Sequence, residues 1–360
     1  MSPAVATLVW IALGCIAVAA ASYGATSVVL GLLRRLAILD HPNARSSHAT
    51  ATPRGGGLAV VPVILAAWLA VAAAAGTLVE TMPILACALF LGMVSWADDM
   101  KDLPAHLRLG AQGVAVALVL AVAPTDGAYL GGWMPAPLDA AAAGVIWLWF
   151  INAFNFMDGI DGIAGTETAS IGIGIAVVAA TATMGGQSTA GLGAMPMAWF
   201  GATIAAAALG FLWWNWQPAR LFLGDVGSIP LGFLLGWLLL RLAAEGQWAA
   251  ALILPLYYLS DSTLTLLWRT FRGEKPWQAH RDHFYQRAVA GGFSHAAVVR
   301  AVALANLALI VLAASASVGG EIITLPIIAL TGACLVVTSL LMFLSGGRQR
   351  QREQRSFRND

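Results

Sequence analysis

The stretch Asn152-Ala153-Phe154-Asn155-Phe156-Met157-Asp158-Gly159-Ile160-Asp161-Gly162-Ile163-Ala164-Gly165 closes one long apolar run and opens another. Its polar residues recur at every third position: 152, 155, 158, 161. A step of three turns about 300° around an α-helix, so the row drifts by about 60° per step. A straight helix therefore does not aim all four groups at one ligand. Gly159 and Gly162 let the backbone leave the helix at that point. Carboxylates and carboxamides at the edge of an apolar segment are costly, so they mark a functional site. A plain helix end needs one capping Asp or Asn, not a row of them.

The apolar runs flanking this stretch recur along the chain. Of 360 residues, 59% are hydrophobic and 10% charged, against roughly 25% charged in a soluble domain. Mean hydropathy is +0.78. The fold class is all-α, a polytopic integral membrane protein, because the runs are long and unbroken where a β-barrel would show short alternating segments. About eleven spans are expected, near 4–33, 57–76, 82–97, 107–123, 138–156, 163–184, 195–214, 229–244, 248–268, 297–315 and 322–345. The segments at 82–97 and 229–244 are the shortest. No Lys or Arg precedes the first run, so it reads as a retained span rather than a signal peptide. Cys15, Cys87 and Cys334 fall inside apolar runs with no disulfide or zinc spacing.

All of the 19 Lys and Arg residues except Arg241 fall in alternate loops and in the C-terminal tail. The positive-inside rule then puts the N-terminus in the periplasm and the C-terminus in the cytoplasm. The chain reads as one domain over 1–345, followed by a basic tail over 346–360 suited to anionic lipid. A net charge of +1 gives no reason to expect nucleic acid.

The basic loops carry the remaining motifs. The first reads Asp40-His41-Pro42-Asn43-Ala44-Arg45-Ser46-Ser47-His48, then Thr52-Pro53-Arg54-Gly55-Gly56-Gly57. Two readings fit it equally: a phosphate-binding loop, or a positive-inside loop with a glycine-rich helix start. The second holds Asp98-Asp99-Met100-Lys101-Asp102. Adjacent carboxylates suit Mg²⁺, which takes one or two of them with phosphate oxygens and water, or a base tuned by its neighbours. The fourth reads Asn215-Trp216-Gln217-Pro218-Ala219-Arg220 and then Gly224-Asp225-Val226-Gly227-Ser228. Asp225 there is a metal or hydroxyl ligand, or with Ser228 a cap for the next span. The last, His280-Arg281-Asp282-His283-Phe284-Tyr285-Gln286-Arg287, lacks further zinc ligands. It suits phosphate contacts or a proton role for one His, or a basic interfacial helix. Asp261 is the exception inside a span, expected near its inner end.

In this order the motifs resemble those of the polyprenyl-phosphate N-acetylhexosamine-1-phosphate transferases, the superfamily that initiates peptidoglycan, O-antigen and other cell-wall glycans. The resemblance runs from about Asp40 to about Arg287 and rests on Asp98-Asp99 with Asp102-Leu103, the 152–162 row, Gly224-Asp225-x-Gly-Ser228 and His280-x-x-His283. It implies transfer of a sugar 1-phosphate from a UDP-sugar to undecaprenyl phosphate, releasing UMP, with Mg²⁺ or Mn²⁺ in its place. It further implies a bacterial inner-membrane enzyme with its active site facing the cytoplasm, and it allows a homodimer. By the same resemblance Asp98 and Asp99 are catalytic, with Asp98 either deprotonating the lipid phosphate for that phosphate's direct attack or serving as a covalent nucleophile. Asp225 and Asn155 would hold the metal. Asn152, Asn155, Asp158, Asp161, Asn215, Arg45, His48, His280, His283 and Arg287 would bind substrate. The Arg45-Ser-Ser-His48 and His280–Arg287 wording is closest to the enzymes that begin O-antigen or exopolysaccharide chains with a UDP-N-acetylhexosamine. The alternative is the phospho-N-acetylmuramoyl-pentapeptide transferase, whose last motif is denser in histidine. A membrane prenyltransferase would repeat its aspartate motif, and Asp158-Gly-Ile-Asp161 is a poor repeat. A transporter would place its ionisable groups at mid-membrane.

Overall fold

The computed structural model describes residues 3–40, 50–122, 128–184, 194–275, 280–318 and 324–346. Their helices are α1 (Pro3–Arg35), α2 (Gly57–Ala75), α3 (Leu78–Lys101), α4 (Ala105–Val122), α5 (Ala136–Phe156), α6 (Ile163–Met184), α7 (Ala194–Asn215), α8 (Asp225–Ala244), α9 (Trp248–Ile253), α10 (Leu256–Phe271), α11 (Phe284–Ala290), α12 (His295–Val318) and α13 (Thr324–Ser345). Ten of them, all but α9, α10 and α11, are long and apolar enough to cross a membrane. The expected ninth span is instead two helices parted at Leu254-Pro255. Proline has no N–H to return to the preceding turn, and its ring crowds the carbonyl there. The two segments expected to be shortest are full length: α3 has 24 residues and α8 has 20, because Asp225–Ser228 forms the first turn of α8.

Every residue of α8 from Val226 to Leu242 is buried. It is the axle of the molecule, surrounded by α2, α3, α5, α6 and α9. A helix that is apolar all round is at home among other helices. Beside it α6 and α7 approach backbone to backbone. A Cβ on Gly172 would lie 2.7 Å from the Gly201 carbonyl, and the reverse distance is also 2.7 Å. Without a hydrophobic drive between helices in lipid, small residues permit the close contact that holds such pairs.

Helix α10 is polar inside and apolar outside. Asp261, Ser262, Thr265 and Arg269 are buried, while Leu264, Leu267, Trp268 and Phe271 are exposed. That is the arrangement for a helix whose polar side serves protein and whose other side meets lipid.

Two short strands, β1 (Leu39–Asp40) and β2 (Thr52–Pro53), form an antiparallel ribbon, and Arg54 bridges onward to Phe222. The first polar loop is thereby anchored on the fourth. The starts of α2, α4, α6 and α8 and the ends of α3, α5 and α7 thus share one end of the bundle, joined by the contacts described next. Arg45, His48 and the tail beyond 346 lie outside the described residues.

Candidate active site

Gly57 and Gly227 set how closely the polar loops converge. A Cβ on Gly57 would lie 2.2 Å from the Gly227 nitrogen, so the first turns of α2 and α8 touch backbone to backbone. The glycine run does not cradle an anion with its N–H groups. Gly55 and Gly56 donate to the Phe222 carbonyl at 3.1 and 2.8 Å, and Gly57 donates to that of Leu223 at 2.9 Å. The glycine run starts α2 and is held to the 222–223 backbone. The Arg54 side chain is what the run delivers.

Helix α3 ends at Asp102, which takes the left-handed conformation at φ 49. Its last turn presents Asp98 and Asp99, whose side chains part as a 100° step requires. Asp98 Oδ1 accepts the Leu103 N–H at 2.7 Å, and Oδ2 pairs with Arg108 Nη1 at 2.9 Å. Asp99 Oδ2 accepts the Val226 N–H at 3.1 Å. Asp99 and Asp225 therefore both sit at the start of α8, where the helix dipole favours negative charge. Arg54 Nη2 joins them, donating to Asp225 Oδ1 at 2.6 Å and lying 2.9 Å from Asp99 Oδ1. Arg108 Nη1 lies 3.7 Å from Asp225 Oδ2. Burial opposes the charge on Arg54, but Asp225 and Asp99, with Asp40 and Asp158 beyond, hold its pKa above the usual arginine value.

The polar row fans out as its drift requires. Asn152 Nδ2 donates to Gln112 Oε1 on α4 at 2.7 Å, and Asn155 Nδ2 donates to Ser228 Oγ on α8 at 2.8 Å. Asp158 follows the end of α5, and burial, with Asp225 and Asp99 adding to it against Arg54, pushes its carboxyl up to about 7. Asp161 turns the other way. Its Oδ2 accepts the Ala219 N–H at 3.1 Å, and its Oδ1 is 3.3 Å from His295 Nδ1.

Between α3, α4, α5 and α8 lies a cavity of about 200 Å³. Asp98, Arg108, Gln112, Asn152, Asn155 and Asp225 line its polar part; Leu91, Val94, Leu109 and Ile229 line the rest. The structure thus brings Asp98, Asp99, Asn152, Asn155, Asp158 and Asp225 together. Two others of the expected substrate contacts, Asn215 and Asp161, make their hydrogen bonds away from this cavity. Asn215 is buried, accepting from the Gly162 N–H at 3.0 Å and donating to the Leu221 carbonyl at 3.0 Å. With Asp161 it ties the 215–221 loop to the start of α6, so neither side chain is turned to the cavity.

The last loop meets the site through its backbone neighbours. Tyr285 donates from Oη to the Phe156 carbonyl at 3.1 Å, closing α11 over the end of α5. His283 is buried with Nδ1 3.1 Å from Asp261 Oδ1. Asp261 also accepts the N–H groups of Phe284 and Tyr285 at 3.0 and 3.3 Å, so this carboxylate caps α11. His280 stacks near His283, with ring centroids 4.9 Å apart. Burial, His283 and Arg269 push its pKa down to about 4. Arg269 ties Glu274 and Asp282 to α10. Arg287 lies over Phe284 and Trp268 and donates to Ser345 Oγ of α13 at 3.2 Å.

Arg108, Gln112 and the capping role of Asp261 escaped the sequence reading. The first two carry one signal, an Arg and a Gln four residues apart on a helix that follows the Asp98 loop. Among the described residues no three His, Cys, Asp or Glu side chains form a metal cage. Two carboxylates, Asp98 and Asp225, line this cavity, a donor set that suits Mg²⁺, which keeps water and substrate oxygens for its other positions.

The sequence model of glycosyl transferase family 4 matches residues 81–243, from α3 through α8. A putative glycosyltransferase of Streptomyces coelicolor is 32% identical over 324 residues, 84% of this chain and 71% of that protein. A probable undecaprenyl-phosphate N-acetylglucosaminyl 1-phosphate transferase of Bacillus subtilis is 28% identical over 288 residues, 74% of this chain and 75% of its own. A decaprenyl-phosphate N-acetylglucosaminephosphotransferase of Mycobacterium tuberculosis is 28% identical over 309 residues, 77% of this chain and 75% of its own.

Proposed function

The chain belongs to glycosyl transferase family 4, and from that premise we propose that it transfers an N-acetylhexosamine 1-phosphate from a UDP-sugar to undecaprenyl phosphate in the bacterial inner membrane. The observation that carries this reading is the cavity between α3, α4, α5 and α8. It is polar at Asp98, Arg108 and Asp225 and apolar at Leu91, Val94, Leu109 and Ile229, the chemistry of a phosphate joined to a hydrocarbon chain.

Asp98 accepts the proton of the lipid phosphate, with Arg108 Nη1 paired to its Oδ2. The freed phosphate oxygen attacks the sugar-bearing phosphorus of the UDP-sugar. A P–O bond forms there as the bond to the UMP oxygen breaks, and UMP leaves with the negative charge. Asn152, Asn155 and Asp158 wall the nucleotide side. Mg²⁺ held by Asp225, with Asn155 beside it and Asp99 behind, would offset repulsion between the two anions and stabilise charge on the transferred phosphoryl group. The active site then faces the cytoplasm, where UDP-sugars are made, and the product enters O-antigen or related polysaccharide synthesis. A second reading, transfer of phospho-N-acetylmuramoyl-pentapeptide, has a relative of that name in Mycobacterium avium, 28% identical over 61% of this chain.

The test is purified protein with undecaprenyl phosphate, Mg²⁺ and a panel of UDP-sugars that includes UDP-N-acetylmuramoyl-pentapeptide. UMP and a lipid diphosphosugar are expected from a UDP-N-acetylhexosamine, and EDTA is expected to stop the reaction. Turnover of the pentapeptide donor alone selects the second reading. Pyrophosphate release in place of UMP overturns both.

A further inference from the structure

The pair Asp99 and Asp225 already has a cation on it. Arg54 Nη2 lies 2.9 Å from Asp99 Oδ1 and 2.6 Å from Asp225 Oδ1, so one nitrogen bridges two carboxylates. The fit is incomplete. Asp99 Oδ1 is buried and receives no hydrogen bond, so Arg54 meets it as a charge and not as an aligned donor. A buried carboxylate oxygen left without a hydrogen bond is costly, and a divalent ion, having no direction to satisfy, removes that cost. The backbone at Arg54 is fixed, bridged to Phe222 and followed by the Gly55 N–H bond to the Phe222 carbonyl at 3.1 Å. The side chain is 39% exposed. Its backbone is anchored while its side chain reaches the surface.

We propose that Arg54 is a resident counter-cation of the Asp99–Asp225 pair, displaced when a divalent metal binds and then free to grip a phosphate of the nucleotide. This rests on the assignment of Asp225 to the metal. Before the metal arrives, Arg54 offsets the repulsion of two carboxylates at the start of α8. A dication on the same oxygens repels the guanidinium, and the diphosphate of the donor is the nearest anion of matching shape. Metal and nucleotide are then coupled through one side chain, each favouring the other.

Two measurements test this without relying on turnover. The first is Mn²⁺ binding to the detergent-purified full chain, followed by the electron paramagnetic resonance of free Mn²⁺. Arg54→Gln is expected to bind Mn²⁺ roughly tenfold tighter than wild type in the absence of nucleotide. UMP is expected to tighten Mn²⁺ binding in the wild type by a larger factor than in Arg54→Gln. The second is labelling of Arg54 by phenylglyoxal, read by peptide mass spectrometry, which is expected to rise several-fold with Mg²⁺ in the wild type and to stay constant in Asp225→Asn. Equal or weaker Mn²⁺ binding in Arg54→Gln, or Arg54 labelling that Mg²⁺ leaves unchanged in a wild type shown to bind it, overturns the displacement while the metal assignment stands. Absence of Mn²⁺ binding by the wild type overturns both.

Discussion

Asp98 is held by two contacts that do different things. The Leu103 N–H fixes one oxygen, and Arg108 pairs with the other. Asp98→Asn keeps an acceptor for Leu103 and removes the base. UMP release is expected to fall by about 10²–10⁴-fold, the range for a general base, with an unchanged melting temperature; activity near wild type would remove Asp98 from its role. Asp158 is a different case, since its surroundings favour the neutral acid up to about 7. A folded pKa above the unfolded one gives stability that is complete below the unfolded value and lost as pH rises through the folded one. In EDTA, Asp158→Asn is therefore expected to melt higher than wild type at pH 8, with the gap narrowing toward pH 5. A gap that widens as pH falls contradicts the shift.

At the scale of elements, the crossing of α2 and α8 decides where Arg54 meets Asp225. Gly57→Ala would put a methyl 2.2 Å from the Gly227 nitrogen, and backbone has no rotamer with which to yield. The helices must part, at a cost of about 1–3 kcal/mol typical of overpacking. Both the melting temperature and UMP release are expected to drop. Gly24→Ala, where an added Cβ meets nothing within 4 Å, is the control and is expected to change neither. The break at Pro255 matters at the same scale. It frees α10 to present Asp261 to α11, and through Tyr285 that cap reaches the end of α5. Pro255 is plain in the sequence, yet it lies within a run apolar enough to read as one span, so its effect emerges only once the neighbours of α10 are known.

Over the whole molecule, the helix ends that carry the polar motifs share one side of the bundle, and that side holds nearly all of the described basic residues. A C-terminal tag is expected to be reachable from the cytoplasm only, and labelling by a periplasmic reagent would reverse the orientation. The all-α membrane architecture was legible from composition and run length, because lipid permits only backbones that satisfy their own hydrogen bonds. The drift of the 152–161 row was legible too, because helical pitch is a local property. Which partner each member of the row meets was not. Asn152 finds Gln112, Asn155 finds Ser228 and Asp161 finds His295 across separations of 40, 73 and 134 residues, and no local rule sets such pairings. Composition and periodicity dictate the class of fold and the residue types of the site. That Asp161 and Asn215 hold a loop, that Asp261 caps a helix and that Arg54 lies on the two carboxylates follows from packing between distant segments. The reason is physical: hydropathy and pitch act within a segment, whereas the worth of a charge depends on what the fold places within a few ångströms of it.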